Sequence, residues 1–219
     1  MIRVDRPEGA SSKKSFGGQM KEGVQYVLER PDVLAILALT GVSTLCIFTN
    51  LAVLMPYYAT FILGDGTGKA LGAIMSASGV GAMTGSILLL SVPRDKRVLV
   101  IAIGAAGILT GMSIMAHSHN QWVSVGAAVI QSTCISLSMG LSSVMVQEWV
   151  PDRLRGRVMS LYMLLFMGIM PFSSLMITSI VDRVGMRQEL QAAAVIYFIF
   201  AMVAIRQLHA THDPHAEQG

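Results

Sequence analysis

Val33-Leu-Ala-Ile-Leu-Ala-Leu-Thr-Gly-Val-Ser-Thr-Leu-Cys-Ile-Phe-Thr-Asn-Leu-Ala-Val-Leu-Met-Pro-Tyr-Tyr-Ala-Thr-Phe-Ile-Leu63 contains no Asp, Glu, Lys or Arg. A hydrocarbon core about 30 Å thick is crossed by about 20 apolar residues in helix. This one run is therefore long enough to cross a bilayer. Four further charge-free stretches follow it, at 70–93, 98–147, 158–181 and 190–205. Most of them are also long enough.

Composition agrees with that reading. Of the 219 residues, 53% are hydrophobic and 13% are charged, and the mean hydropathy is +0.60. Soluble domains carry about 25% charged residues. These figures argue against a soluble globular enzyme and exclude a disordered or collagen-like chain. The fold class expected is all-α and integral to the membrane. Its six transmembrane helices lie at about 33–63, 70–92, 98–116, 122–147, 158–181 and 190–206. His117-Ser-His-Asn-Gln121 divides the longest stretch. The sixth span is short, and Glu189 and Arg206 at its ends are expected to snorkel to the interfaces. Residues 1–32 form an N-terminal segment with eleven charges and no apolar h-region, so no cleavable signal peptide is expected. Residues 207–219 form a tail.

Six spans leave both termini on one side, and the basic residues choose the side. Thirteen Lys and Arg fall in the N-terminal segment, the loops after spans two and four, and the tail. Only Lys69, Arg183 and Arg187 fall on the opposite side. The positive-inside rule makes the first side cytoplasmic. The net charge of +3 is thus placed against lipid headgroups. It forms no basic patch with interleaved aromatics, and nucleic acid is not an expected partner. Three helices followed by three, with short charged turns after spans two and five on opposite faces, are compatible with a 3+3 inverted repeat.

Small residues recur four apart at Gly68/Gly72, Gly81/Gly85 and Gly107/Gly111. In lipid such pairs let helix backbones approach closely, and spans two and three are expected to pack tightly. Gly79-Val-Gly81-Ala-Met-Thr-Gly85 mimics a dinucleotide fingerprint, but it lies inside a charge-free run with no strand before it. Gly64-Asp-Gly-Thr-Gly68-Lys69 mimics a phosphate loop, but Leu63 and Ala70 stand where that motif needs Gly and Ser or Thr. It reads as the turn between spans one and two.

Polar residues inside the spans carry more information. Ser43, Cys46, Asn50 and Tyr57 share one face of span one, and Gln131, Cys134, Ser138 and Ser142 share one face of span four. Ser160, Met167, Pro171, Ser174 and Thr178 lie along span five. A mid-membrane amide such as Asn50 or Gln131 must face protein or a wet cavity. Both interhelical hydrogen bonding and a substrate path fit that need. The path candidates are Asn50, Tyr57, Gln131, Ser138 and Met167. Serines in helices also bond their own backbone. The 16 methionines suit either apolar packing or a surface for varied apolar ligands.

No ionisable residue is expected at mid-membrane, so a proton relay is not expected in these helices. Glu148 and Asp152 flank Arg153-Leu-Arg-Gly-Arg157, and Glu148, Asp152, Arg155 and Arg157 are candidates for a cytoplasmic gate held by ion pairs. Neutralising Arg155 or Arg157 should then reduce transport. His209, His212, Asp213 and His215 in the tail could meet a transition metal, but a short polar tail is more often unstructured. No metal site and no other cofactor is expected. Cys46 and Cys134 make no disulfide framework. No nucleophile and base are brought together, and an enzyme is not expected.

Three stretches resemble the C-terminal half of a major facilitator superfamily transporter, in its bacterial drug and siderophore exporter branch. That branch includes enterobactin exporter-like and macrolide efflux-like proteins. Gly23-Val-Gln-Tyr-Val-Leu-Glu-Arg-Pro-Asp32 resembles the approach to the seventh helix. Leu71 to Gly85 resembles the eighth. Val150-Pro-Asp-Arg-Leu-Arg-Gly-Arg-Val-Met-Ser-Leu-Tyr162 resembles the turn between the tenth and eleventh. The resemblance implies half of a twelve-helix fold and alternating access. It also implies a path lined by helices seven, eight, ten and eleven, here spans one, two, four and five. Residues 1–20 resemble the end of the central loop. The implied partners are the lipid bilayer, a small hydrophobic or amphipathic substrate, and either an N-terminal six-helix half or a second copy of the chain. The implied role is proton-coupled export across a bacterial inner membrane. A non-transporting remnant or accessory subunit is the alternative. On the path reading, Cys46 and Cys134 face water.

Overall fold

Apolar runs in lipid must satisfy every backbone group internally, which favours helices. The computed structural model describes residues 16–211, with side chains from 20 to 208. Among these residues it is all-helical, with six helices long and apolar enough to cross a membrane. Span one is Pro31–Ile62, span two Lys69–Leu89, span three Arg94–His117, span four Gln121–Trp149, span five Asp152–Val184 and span six Met186–Leu208. Helix therefore continues past the charge-free limits at most ends. A separate amphipathic helix, Phe16–Glu29, precedes span one.

Local chemistry sets the ends. Arg30 is extended and Pro31 opens span one, where its missing N–H costs nothing. Arg30 Nε and Nη2 donate to the two carboxylate oxygens of Asp32 at 3.1 and 2.8 Å. Asn120 caps span four by accepting from the Trp122 amide at 2.9 Å. Gly185, at φ +88°, turns the chain from span five into span six. There a side chain would be strained.

The turn that mimics a phosphate loop already holds an anion of its own. The Asp65 carboxylate accepts from the Thr67 hydroxyl at 2.6 Å, the Thr67 amide at 2.9 Å and the Ala70 amide at 2.5 Å. These bonds, that from the Thr67 hydroxyl first, hold Asp65 below the ordinary carboxylate range. A depressed value stabilises the turn at and above that range, and the effect is lost as pH falls through it. Asp65→Ala should lower the protection factor of the Ala70 amide severalfold at neutral pH, and acidification of the wild type should lower it likewise once the intrinsic exchange rate at each pH is divided out. Unchanged protection would remove Asp65 as the cap of span two.

Span four is the hub. Spans two and three both pack along it, span three also packs on span six, and span one packs on spans four, five and six. Exchanging the first three spans for the last three maps nearly all of these contacts onto one another. Two-on-four becomes five-on-one, three-on-four becomes six-on-one, and three-on-six and one-on-four map to themselves. The contact of spans five and six is the exception, its counterpart between spans two and three being slight or absent. This is the contact pattern of a 3+3 inverted repeat.

The glycines show how the hub forms. A Cβ on Gly81 would stand 2.5 Å from the Val129 carbonyl oxygen, and one on Gly85 would collide with that of Thr133. Gly104, Gly107 and Gly111 of span three likewise receive Ser138, Cys134 and Gln131 of span four. Spans two and three are thus packed tightly, as expected, but each against span four rather than against the other. Gly68 and Gly72 are no packing pair. Gly68 is a turn residue at φ +76°, and nothing lies within 4 Å of a Cβ on Gly72.

Spans one and five depart from α geometry. Each contains π-helical turns, at Thr44–Phe48 and Tyr58–Ile62 in span one and at Leu164–Gly168 in span five. Such turns change which side chains share a face and are frequent at functional sites. The two spans meet beside them. The Phe48 and Phe166 rings are 4.9 Å apart, and the Thr49 and Ser173 hydroxyls are 2.6 Å apart.

Candidate functional site

The membrane-spanning bundle has one strongly asymmetric feature, its exposure. Span one is 72% buried over its most apolar window, whereas spans two and five are 22% and 17% buried. Between them runs a groove of about 730 Å³, within the usual range of about 300–1,000 Å³ for small-molecule sites. Phe48, Ala52 and Met55 line it from span one, Ser78, Ala82 and Ser86 from span two, Ser136 and Met139 from span four, and Phe166 from span five. Spans three and six contribute nothing to it. Two of its four hydroxyls, those of Ser86 and Ser136, engage each other. Ser136 donates to the Ala82 carbonyl oxygen at 2.9 Å and lies 3.0 Å from the Ser86 hydroxyl. What remains is an apolar, sulfur-rich and aromatic wall.

The five path candidates are not gathered there. Tyr57 and Met167 are exposed, at 43% and 68%, on spans one and five, and neither is among the groove's lining residues. Asn50, Gln131 and Ser138 are buried. Ser138 faces Gly104, and Gln131 faces Gly111, so the polar face of span four is the one that packs on span three. Asn50 and Gln131 do line one small internal cavity, together with Tyr58, Met112 and Met115. Cys46 is buried and Cys134 packs its sulfur against Gly107. In this conformation neither thiol lines the groove. Ser43, Ser142, Ser160, Ser174 and Thr178 bond backbone carbonyls within their own helices.

One contact runs against the sequence reading. Glu189 does not snorkel outward. It is 5% exposed, and Asn50 Nδ2 donates to its Oε1 at 3.1 Å. The same Nδ2 donates to the Cys46 carbonyl oxygen at 2.6 Å. Asn50 is eight residues, or about 12 Å of helix, below Tyr58. The Tyr58 hydroxyl lies 3.0 Å from the Met115 carbonyl oxygen and 2.7 Å from the Ser124 hydroxyl, at the face opposite the termini. The six spans therefore do carry an inward-facing carboxyl. Glu189 escaped the sequence reading because it stands one residue outside a charge-free run, while span one reaches across to it.

The family model for the Major Facilitator Superfamily matches residues 3–168 and residues 37–219. The chain belongs to the Major Facilitator Superfamily. It is a multi-pass membrane protein of a family of transporters, and its six helices form a half-size fold of that family. A search among curated proteins finds no individual relative that matches. Like the groove, the charged end of this superfamily member is assembled from distant segments. Arg97 and Arg94 bond the two oxygens of Glu148 at 2.7 and 3.4 Å, joining the start of span three to the end of span four. Asp152 pairs with Arg155 at 2.6 Å. Arg157 and Arg153 reach Glu22 of the amphipathic helix at 2.8 and 3.5 Å. Of the four gate candidates, Asp152 and Arg155 meet each other, whereas Glu148 and Arg157 find other partners. Glu22 was not legible as a partner, since more than 130 residues separate it from either arginine.

Gly23 lets that helix settle, since a Cβ there would stand 3.2 Å from Arg157 Cβ. Partly exposed ion pairs are worth about 0.2–1 kcal/mol. Glu22→Arg should accordingly speed protease cleavage within residues 16–30 by up to about fivefold. Adding Arg157→Glu should restore the slower rate, and failure of the swap to restore it would show that the pair does not hold the helix. Among the described residues no cluster of His, Cys, Asp and Glu could hold a metal. The tail residues His209, His212, Asp213 and His215 lie outside the residues whose side chains are described.

Proposed function

We propose that this chain is one half of a secondary active exporter, which moves small hydrophobic or amphipathic molecules by alternating access. The observation that carries the proposal is the groove. It is built from spans one, two, four and five, the four that the resemblance assigns to a substrate path, and from none of the other two. Its wall of Phe48, Met55, Met75, Met139 and Phe166 suits varied apolar cargo, because thioethers and aromatic rings adapt to different shapes. Facing an N-terminal six-helix half or a second copy of this chain, the groove becomes one wall of a closed path. The proposed setting is a bacterial inner membrane with both termini cytoplasmic, a reading supported by the thirteen of sixteen Lys and Arg that fall in the sequence on the side of the termini.

The test is efflux of ethidium, a hydrophobic cation, from energised cells that express the chain alone or with an N-terminal half. Faster efflux in either setting supports the reading. Efflux equal to that of cells lacking the chain in both settings, at normal membrane insertion, favours the accessory-subunit alternative.

A further inference from the structure

The Asn50–Glu189 contact leaves two buried oxygens without a partner. Asn50 Nδ2 uses its two hydrogens on Cys46 and Glu189 Oε1. Asn50 Oδ1 and Glu189 Oε2 are both buried and unbonded. Two acceptors on one carboxyl–amide pair cannot serve each other unless a hydrogen is added. One proton on Oε2 turns that oxygen into a donor with Oδ1 as its acceptor. The pair then closes as a reciprocal two-bond ring, with Nδ2–H to Oε1 and Oε2–H to Oδ1. A single proton thus removes two buried unsatisfied groups, each of which would otherwise bear the cost of lost hydration.

Among the described residues no cation pairs with Glu189 to do that work instead. Span one presents Asn50 and Cys46 to it, and span five presents Met176, Ile177, Ile180 and Val184. On its own helix Gln188 shares its groove, while Arg187 lies against His119 and Gln191 bonds His117 of span three.

We propose that Glu189 and Asn50 form a proton-binding site that couples this half to a proton gradient. In the closed arrangement of spans one and six the proton sits on Oε2, bonded to Oδ1. When the two spans part, the Oε2–H bond breaks, the proton passes to water, and a hydrated carboxylate remains. Recapture of a proton is the reverse step and lets the spans close. Proton occupancy and helix separation are then linked equilibria, since each form of the carboxyl favours one arrangement. The coupling, though not the site itself, rests on the transport reading above.

Infrared difference spectra of the full chain in lipid, recorded across pH, test the site without any transport. The expected result is a protonated-carboxyl C=O band at neutral pH that Glu189→Gln removes and that Asn50→Ser moves to a new frequency. Loss of only carboxylate bands in Glu189→Gln would show an ionised Glu189 and overturn the proposal. Should Glu189→Gln fail to fold, Asn50→Ser decides alone, and an unmoved band overturns it. In the transporting assembly, Glu189→Gln should keep ethidium binding but lose flux driven by a pH gradient, and Glu189→Asp should recover part of it. Full gradient-driven flux in Glu189→Gln would overturn the coupling. A chain that shows the band yet exports nothing would leave the site standing and defeat the export reading alone.

Discussion

Gly85→Ala should lower the stability of the chain by about 1–3 kcal/mol, the usual cost of overpacking a close contact, and Gly81→Ala should do much the same. Both new methyl groups would meet main-chain oxygens of span four, those of Thr133 and Val129. A carbonyl oxygen inside a helix cannot swing aside as a side chain can. The only relief is for the two spans to separate, and separation gives up dispersion contacts along their whole length. Because hydrophobic force between helices is weak in lipid, those contacts are the main attraction lost. The check is unfolding in mixed micelles titrated with a denaturing detergent. Gly72→Ala is the control, because its methyl group enters open space. It should leave stability unchanged or raise it, since alanine is the better helix former. Equal losses at Gly72 and Gly85 would mean that the glycines serve flexibility and not close approach.

The same glycines show what a linear pattern contains. The spacing of Gly81 and Gly85 states that something comes close, but it does not state what. Span four is the partner of both spans two and three, and nothing local to either span names it. Gly68 and Gly72 share the spacing and pack on nothing, because one serves a left-handed turn and the other faces outward. The spans themselves were legible because lipid permits so few backbone solutions. The polar faces were legible as faces and not as destinations. Gln131, Cys134 and Ser138 line up on span four, and the glycine row of span three is shaped to receive them. In spans one and five the π-helical turns break the simple helical phase. The pairings Asn50–Glu189 and Glu22–Arg157 join residues 139 and 135 positions apart, so tertiary geometry alone creates them.

Ala52→Trp should stop transport while leaving the fold intact. Ala52 is an exposed residue of span one on the wall of the groove, so an indole there projects into the space proposed for cargo and displaces no packed side chain. A residue buried between helices could not separate these two effects, because its replacement would also damage packing. Ile87→Trp makes the comparison, since Ile87 is 64% exposed on span two and lies off the groove. Ethidium efflux should fall to background in the first variant and persist in the second, at equal unfolding midpoints. Thiol chemistry checks the same surface without transport. Ala52→Cys should react readily with a small apolar maleimide, whereas the buried Cys46 should react only when helices part and the half-buried Cys134, its sulfur against Gly107, should react more slowly than Ala52→Cys. Each 1.4 kcal/mol or so needed for that opening slows labelling about tenfold. Labelling of Cys134 as fast as that of Ala52→Cys would mean that span four turns its polar face to the groove and not to span three. Asn50, Gln131 and Ser138 would then return as the lining of the path, and persistence of efflux in Ala52→Trp would point to the same place.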